Sequence, residues 1–174
     1  MSLPPPVRMP VRRWLKVPYS GKLEGIIAGE PVTTVIHWHE GTAVKCEAAD
    51  CALCARQIGR QSRYTILLYA YGDLGLLEFT DVHYRELCDI EEKNGGCFVG
   101  ARIEVRRVRP HRNARLFIRY LGVSSWAWPL SAAEVTNVME GDTTCLRDIP
   151  LDPTVARISR TNEESRERGY ESPA

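Results

Sequence analysis

Residues 31–54 read PVTTVIHWHEGTAVKCEAADCALC, and their reading decides the fold: a β-hairpin followed by a metal-binding loop. The β-branched run behind Pro31 has the composition of a strand, and Glu40-Gly41-Thr42-Ala43 breaks it. The Cys51-x-x-Cys54 spacing lets one turn direct two thiolates at a single ion. Cys46 lies five residues earlier, and His37 or His39 completes a Cys₃His set of the tetrahedral type that zinc takes. With Gly41-Thr42 as the central turn residues, paired positions sum to 83. His37 then faces Cys46 with Cβ atoms about 5 Å apart, and His39 faces Val44 nearer the turn. His37 is therefore the expected fourth ligand and His39 the alternate. Five candidate donors for four positions leave no place for a catalytic water, so the expectation is one structural zinc. The metal-free alternative is a set of buried cysteines or a redox CxxC pair.

Outward from this stretch the chain reads as short strands. Residues 23–28 form a first candidate. Residues 62–71 (SRYTILLYAY) and 74–79 (LGLLEF) form a pair turning at Gly72-Asp73. Thr80-Asp81 supplies cap residues for a helix, VHYRELCDIEEK, that runs into Asn94-Gly95-Gly96. Two more strands, 101–109 and 115–121, flank the turn Pro110-His111-Arg112-Asn113. One helix interrupting an antiparallel run of strands before the last hairpin predicts a mainly β fold: a small Greek-key barrel of the OB class with an inserted zinc-binding loop. A zinc ribbon attached to another α+β sheet is the main alternative. Trp126 and Trp128 are expected to cover one barrel end, and Ser131 to start a short amphipathic helix. The expected organisation is a basic, proline-rich flexible arm at 1–18, docked by Trp14 and Leu15, then the barrel at 19–125 with its zinc subdomain at 35–58. An extension at 126–150 packs on the barrel, and a disordered tail follows at 151–174, with five acids and four arginines among few apolar groups.

Charge is unevenly placed. Residues 101–120 read ARIEVRRVRPHRNARLFIRY, with seven arginines (102, 106, 107, 109, 112, 115 and 119), one acid (Glu104) and no lysine. Arginine suits bidentate phosphate contacts and stacking on bases, so the segregation points to a polyanion partner; a solvated basic face is the plainer alternative. Strand alternation sends Leu116 and Ile118 inward and Arg115, Phe117 and Arg119 outward. It likewise sends Ile103 and Val105 inward and Arg102 and Arg106 outward. An arginine–aromatic–arginine row on the outside of a strand is the pattern of a groove for single strands. Arg107, Arg109 and Arg112 extend the basic set, and Trp38, Tyr69 and Tyr71 are further stacking candidates, with ordinary core packing as their alternative.

Composition excludes several classes. The chain has 174 residues, 44% of them hydrophobic, a formal net charge of +1, and no run of roughly 18 apolar residues that could span a bilayer. The start, MSLPPPVRMPVRRW, has basic residues without an apolar stretch behind them, which argues against a secretory signal and for a cytoplasmic protein whose six cysteines are not disulfides. Nucleobase deaminases use His-x-Glu and Pro-Cys-x-x-Cys; here Glu40 directly follows His39 and Asp50 precedes Cys51. Cys88, Cys97 and Cys145 have only His83 and His111 outside the cluster as candidate bases, and no glycine-rich phosphate loop is present. No catalytic residue is expected, and the chain does not read as an enzyme.

The pattern Val35-Ile36-His37, Cys46, Cys51-x-x-Cys54, then the strand at 64–71, a short strand and helix, and Gly95-Gly-Cys-Phe-Val-Gly100 leading into 103–108, resembles the single-stranded DNA-binding protein family of T-even-type phages. The resemblance covers roughly residues 22–121. The chain departs from the family in a tighter His-to-cysteine spacing, a different N-terminal arm and a tail that is not strongly acidic. It implies an OB barrel carrying a Cys₃His zinc subdomain and a role in binding single-stranded nucleic acid, DNA ahead of RNA. Replication, recombination or other nucleoprotein partners are implied with it, in a phage-infected or mobile-element-bearing cell. The second reading is a zinc-containing assembly subunit whose basic hairpin docks a nucleoprotein or an acidic protein.

Overall fold

The computed structural model of the chain describes residues 11–124, 126, 129–142 and 144. Its strands in chain order are β1 (Val11–Trp14), β2 (Leu23–Ile27), β3 (Val32–His39), β4 (Thr42–Lys45), β5 (Arg60–Ala70), β6 (Asp73–Thr80), β7 (Ala101–Arg107) and β8 (Leu116–Val123). The helices are α1 (Ala52–Ala55), α2 (Tyr84–Lys93) and α3 (Ala132–Glu140). The chain is mainly β, as its strand-rich sequence predicts. All eight strands belong to one sheet, antiparallel throughout except where β1 runs parallel to β6.

β5 is the spine of the sheet. One edge pairs with β6 along its length, from Arg63↔Thr80 to Ala70↔Asp73. The other edge serves two strands, β3 at Arg60 to Thr65 and β2 at Leu68 and Tyr69. β2 hands the sheet on to β7, and β7 to β8. The path is open: among the described residues no ladder joins β8 back to β1, so strand pairing does not close the expected barrel.

Alternation along β5 feeds two cores. Ile66 and Leu68 point to one side, where Leu23, Phe79, Ile103, Val105 and Ile118 meet Leu87 and Ile90 of α2. Leu67 and Tyr69 point to the other, where Ile26, Leu74 and Leu76 meet Leu130 and Val135 and Val138 of α3. Burying both faces of one strand explains its nearly continuous apolar sequence. Gly25 lets β2 lie close against β5: a Cβ there would lie 2.6 Å from the Tyr69 carbonyl oxygen and 2.6 Å from Leu68 Cγ.

Local chemistry sets the ends of the elements. The Thr80 backbone N–H donates to His83 Nδ1 (3.4 Å) ahead of α2. At α3, Ser131 Oγ accepts from the Glu134 N–H and the Glu134 carboxylate accepts from the Ser131 N–H, a reciprocal cap. Gly141, left-handed at φ 102°, ends that helix. The β5–β6 turn differs from expectation by one residue: Tyr71 (φ 57°) and Gly72 (φ 76°) are its central pair, because Ala70 still pairs with Asp73. The arm also differs. Val11–Trp14 form β1, the Leu15 N–H donates to the Leu76 carbonyl (2.8 Å), and Leu15 and Val17 join the core while Trp14 is about half exposed. The expectations for residues 1–10 and 151–174, Trp128 and Cys145 fall outside the described residues.

Candidate metal centre and basic face

β3 and β4 form the hairpin that presents the first two candidate ligands. Its turn is Glu40-Gly41, with φ 49° and 76°, the doubly left-handed geometry of a two-residue turn that follows the twist of the strands. Paired positions therefore sum to 81, not 83: His37 faces Val44 and His39 faces Thr42. The correction moves the register by two positions, which preserves side-chain parity. Cys46, whose N–H donates to the Val35 carbonyl (2.9 Å), still points to the face of His37, two pairs further from the turn. A single 3₁₀ turn at Ala48–Asp50 leads into α1. There the Ala55 N–H bonds the Cys51 carbonyl (3.1 Å) and sets Cys51 and Cys54 one turn apart on one side. β5 then returns the chain beneath the hairpin, with Arg60 paired to His37.

These elements bring His37, Cys46, Cys51 and Cys54 together, each offering one donor atom, with all four atoms within 4.8 Å of one another. His37 Nε2 lies 3.3 Å from both Cys51 Sγ and Cys54 Sγ, and Cys46 Sγ lies 3.5 Å from Cys54 Sγ. Around a four-coordinate ion with sulfur at about 2.3 Å and nitrogen at about 2.0–2.1 Å, neighbouring donors stand roughly 3.6–3.8 Å apart. The separations of 3.3–3.5 Å lie just inside that distance, and a spread within 4.8 Å leaves room for one ion. His37 is fully buried, and its Nδ1 faces the carbonyl oxygens of Ile58 (3.0 Å) and Gly59 (3.2 Å). Carbonyls only accept, so Nδ1 carries the proton and the Nε2 lone pair is aimed at the sulfurs, the arrangement by which an outer partner orients a ligating histidine. His39 is not part of the cluster; its Nε2 lies 3.6 Å from the Glu40 carboxylate.

Backbone hydrogen bonds favour the thiolate at one sulfur of the cluster, Cys51. Backbone hydrogen bonds at Glu47, then Cys54 and Leu53, pull the Cys51 thiol down to about 6 against the effect of burial. At Cys46 the bond from the Ala48 backbone also favours the thiolate, but burial and the sulfurs of Cys54 and Cys51 outweigh it, and the net shift is upward. Arg60 reaches over from β5, donating to Cys54 Sγ through Nε (3.1 Å) and Nη2 (2.9 Å). Three thiolates around one divalent ion would carry a net negative charge, which this guanidinium is placed to offset.

The basic face lies on β7 and β8. Their register, Glu104↔Arg119 and Arg106↔Phe117, puts Ile103, Val105 and Ile118 in the core and Arg106, Phe117 and Arg119 outside, as alternation predicts. Phe117 is 39% exposed, and the Arg106 guanidinium stands 4.9 Å from its ring centroid. Several other arginines already hold carboxylates. Arg102 meets Glu24 (3.4 Å), Arg119 meets Glu104 (3.1 Å) and Arg115 meets Glu86 (2.5 Å). Lys22 bridges Glu24 (2.6 Å) and Glu104 (3.4 Å), so three cations cover two nearly buried carboxylates. Burial works to raise Glu24, but its bonds to Lys22 and Arg102 hold it below the ordinary carboxylate value. Arg107 ties the hairpin tip together, donating to the carbonyls of Val17 (3.2 Å), His111 (3.3 Å) and Arg112 (2.6 Å). Arg109 and Arg112 are exposed at that tip.

The stacking candidates separate. Trp38 is 56% exposed, on the face of β3 opposite His37. Tyr69 is buried against Trp126, ring centroids 5.5 Å apart, and Tyr71 packs on the core from its turn, so neither forms an open platform. Arg60, Lys22, Glu24 and Tyr19 were not singled out from the sequence. Only Arg60 left a signal there, a basic residue opening the strand that follows the cysteine loop.

Among the described residues no helix is long and apolar enough to cross a membrane. Comparisons of the chain with protein-family models, with curated proteins and with solved structures return no match.

Proposed function

We propose that this chain is a zinc-stabilised β protein that binds single-stranded nucleic acid, DNA ahead of RNA, on the outer face of β7 and β8. The observation that carries the reading is the exposed Phe117 beneath Arg106, in a row of alternating arginines outside the core. A flat ring and guanidinium groups on one strand face offer stacking for bases and charge for phosphates, with no demand on sequence. Three thiolates and an imidazole of suitable spacing favour zinc over magnesium or calcium, which take oxygen ligands. Zinc held by four protein donors would crosslink the β3–β4 hairpin to α1 and β5, and we assign the cluster that structural role and no catalysis. On this reading the chain is a relative of the T-even-type phage single-stranded DNA-binding family and works in the cytoplasm with replication or recombination proteins.

The ion pairs of Arg102, Arg115 and Arg119 favour a second reading, a zinc-containing assembly subunit that docks an acidic or nucleoprotein partner. Salt separates the two. Direct binding to a labelled oligonucleotide should weaken as salt rises, by a slope of about −0.7 per phosphate neutralised; no mobility shift at ~50 mM salt refutes the first reading.

A further inference from the structure

Three arginines of the basic face are not the ones best placed to take a phosphate. A ligand at Arg102, Arg115 or Arg119 must compete with a carboxylate already 2.5–3.4 Å away. Arg106 and Arg109 have no carboxylate partner among the described residues. Both line a cleft of about 820 Å³ between Tyr19–Lys22 and the tip of the β7–β8 hairpin. Tyr19 is 52% exposed on its wall, and the Arg107 guanidinium lies 5.2 Å from the ring centroid. Arg107 is itself fixed by three backbone carbonyls, so the ring rests on an immobilised cation. The acid that lines the cleft, Glu104, is neutralised by Lys22 and Arg119.

We propose that this cleft is a nucleotide subsite, taking one unstacked base on Tyr19 and its phosphate on Arg106 and Arg109. The proposal rests on the single-strand reading above and specifies where and how the strand is held. The cleft is open to solvent, and its volume is within the roughly 300–1,000 Å³ that admits a small ligand. A base within a duplex is covered on both faces by its neighbours and has none to offer Tyr19. The subsite therefore selects single strands by geometry, and the surrounding cations supply the affinity common to any polyanion.

The test uses the full chain and a fluorescent single-stranded DNA oligonucleotide. Tyr19→Ala should lower affinity about 5- to 150-fold, the equivalent of one stacked base, and Tyr19→Phe should restore it. Arg109→Ala should reduce the slope of log affinity against log salt by about 0.7. Metal content and melting temperature, measured alongside, should not move in that variant. If the wild-type chain binds the oligonucleotide but Tyr19→Ala and Arg109→Ala bind equally well, the subsite is wrong and the single-strand reading stands. If the wild-type chain itself fails to bind, both are wrong.

Discussion

Replacing His37 by alanine probes the metal centre at its most buried point. His37 has no exposed surface, places Nε2 at 3.3 Å from two cysteine sulfurs, and donates Nδ1–H to the Ile58–Gly59 carbonyls. Structural zinc binds zinc-finger peptides with about 10–16 kcal/mol, so an even share among four donors is about 2.5–4 kcal/mol. His37→Ala should therefore weaken metal affinity by about two to three orders of magnitude. A buried imbalance adds to this without the metal: a cavity where the ring was, and carbonyls left short of a donor at about 1–3 kcal/mol. His39, outside the cluster beside Glu40, is the internal control, and His39→Ala should stay within about 0.5 kcal/mol of wild type. Competition against a chelating dye, on freshly reduced protein, reads both variants on one scale. Equal losses from His37→Ala and His39→Ala, or the greater loss from His39→Ala, would refute the assignment of His37 as the ligand.

Three further perturbations address other parts of the structure. Arg60→Ala should lower metal affinity about 10- to 100-fold by removing the outer partner of Cys54, as read by the same dye competition; unchanged affinity would show that the guanidinium is a bystander. Phe117→Ala should cost about 1–3 kcal/mol of oligonucleotide binding but only about 0.5–1 kcal/mol of stability from the exposed cation–π pair. Loss of stability with full affinity in the folded fraction would instead make Phe117 a packing residue. The third concerns acid. Glu24 is held below its ordinary value of 4.5, so its contribution to stability is complete above that value and is lost as pH falls through the depressed one. Glu24→Gln should flatten the decline of melting temperature below pH 4.5, and an unchanged decline would contradict the role of the Lys22–Glu24–Arg102 knot.

What was legible in the sequence was whatever a local pattern encodes. The cysteine spacing, the alternation at 115–119, the cap at Ser131 and the breaks at Gly41 and Gly72 each report on their own few residues. The face of His37 survived an error in the hairpin register because moving the turn centre by one residue shifts the pairing by two and keeps parity. Tyr69 was ambiguous because β5 is buried on both sides, which erases the alternation that would have revealed its side. The partners of the arginines were not legible. Glu24 lies 78 positions from Arg102 and Glu86 lies 29 from Arg115, and such pairings depend on strand order alone. Closure of the sheet was also beyond local reading, since it depends on whether two strands far apart in sequence meet.

The most direct test of the account is a titration of the zinc-loaded chain, by fluorescence anisotropy, against single-stranded DNA, single-stranded RNA and duplex DNA of matched length. Tight, salt-sensitive binding to single-stranded DNA is expected, with weaker binding to RNA and the weakest to duplex. Equal affinity for duplex and single strands, or no binding to any of the three, would contradict it.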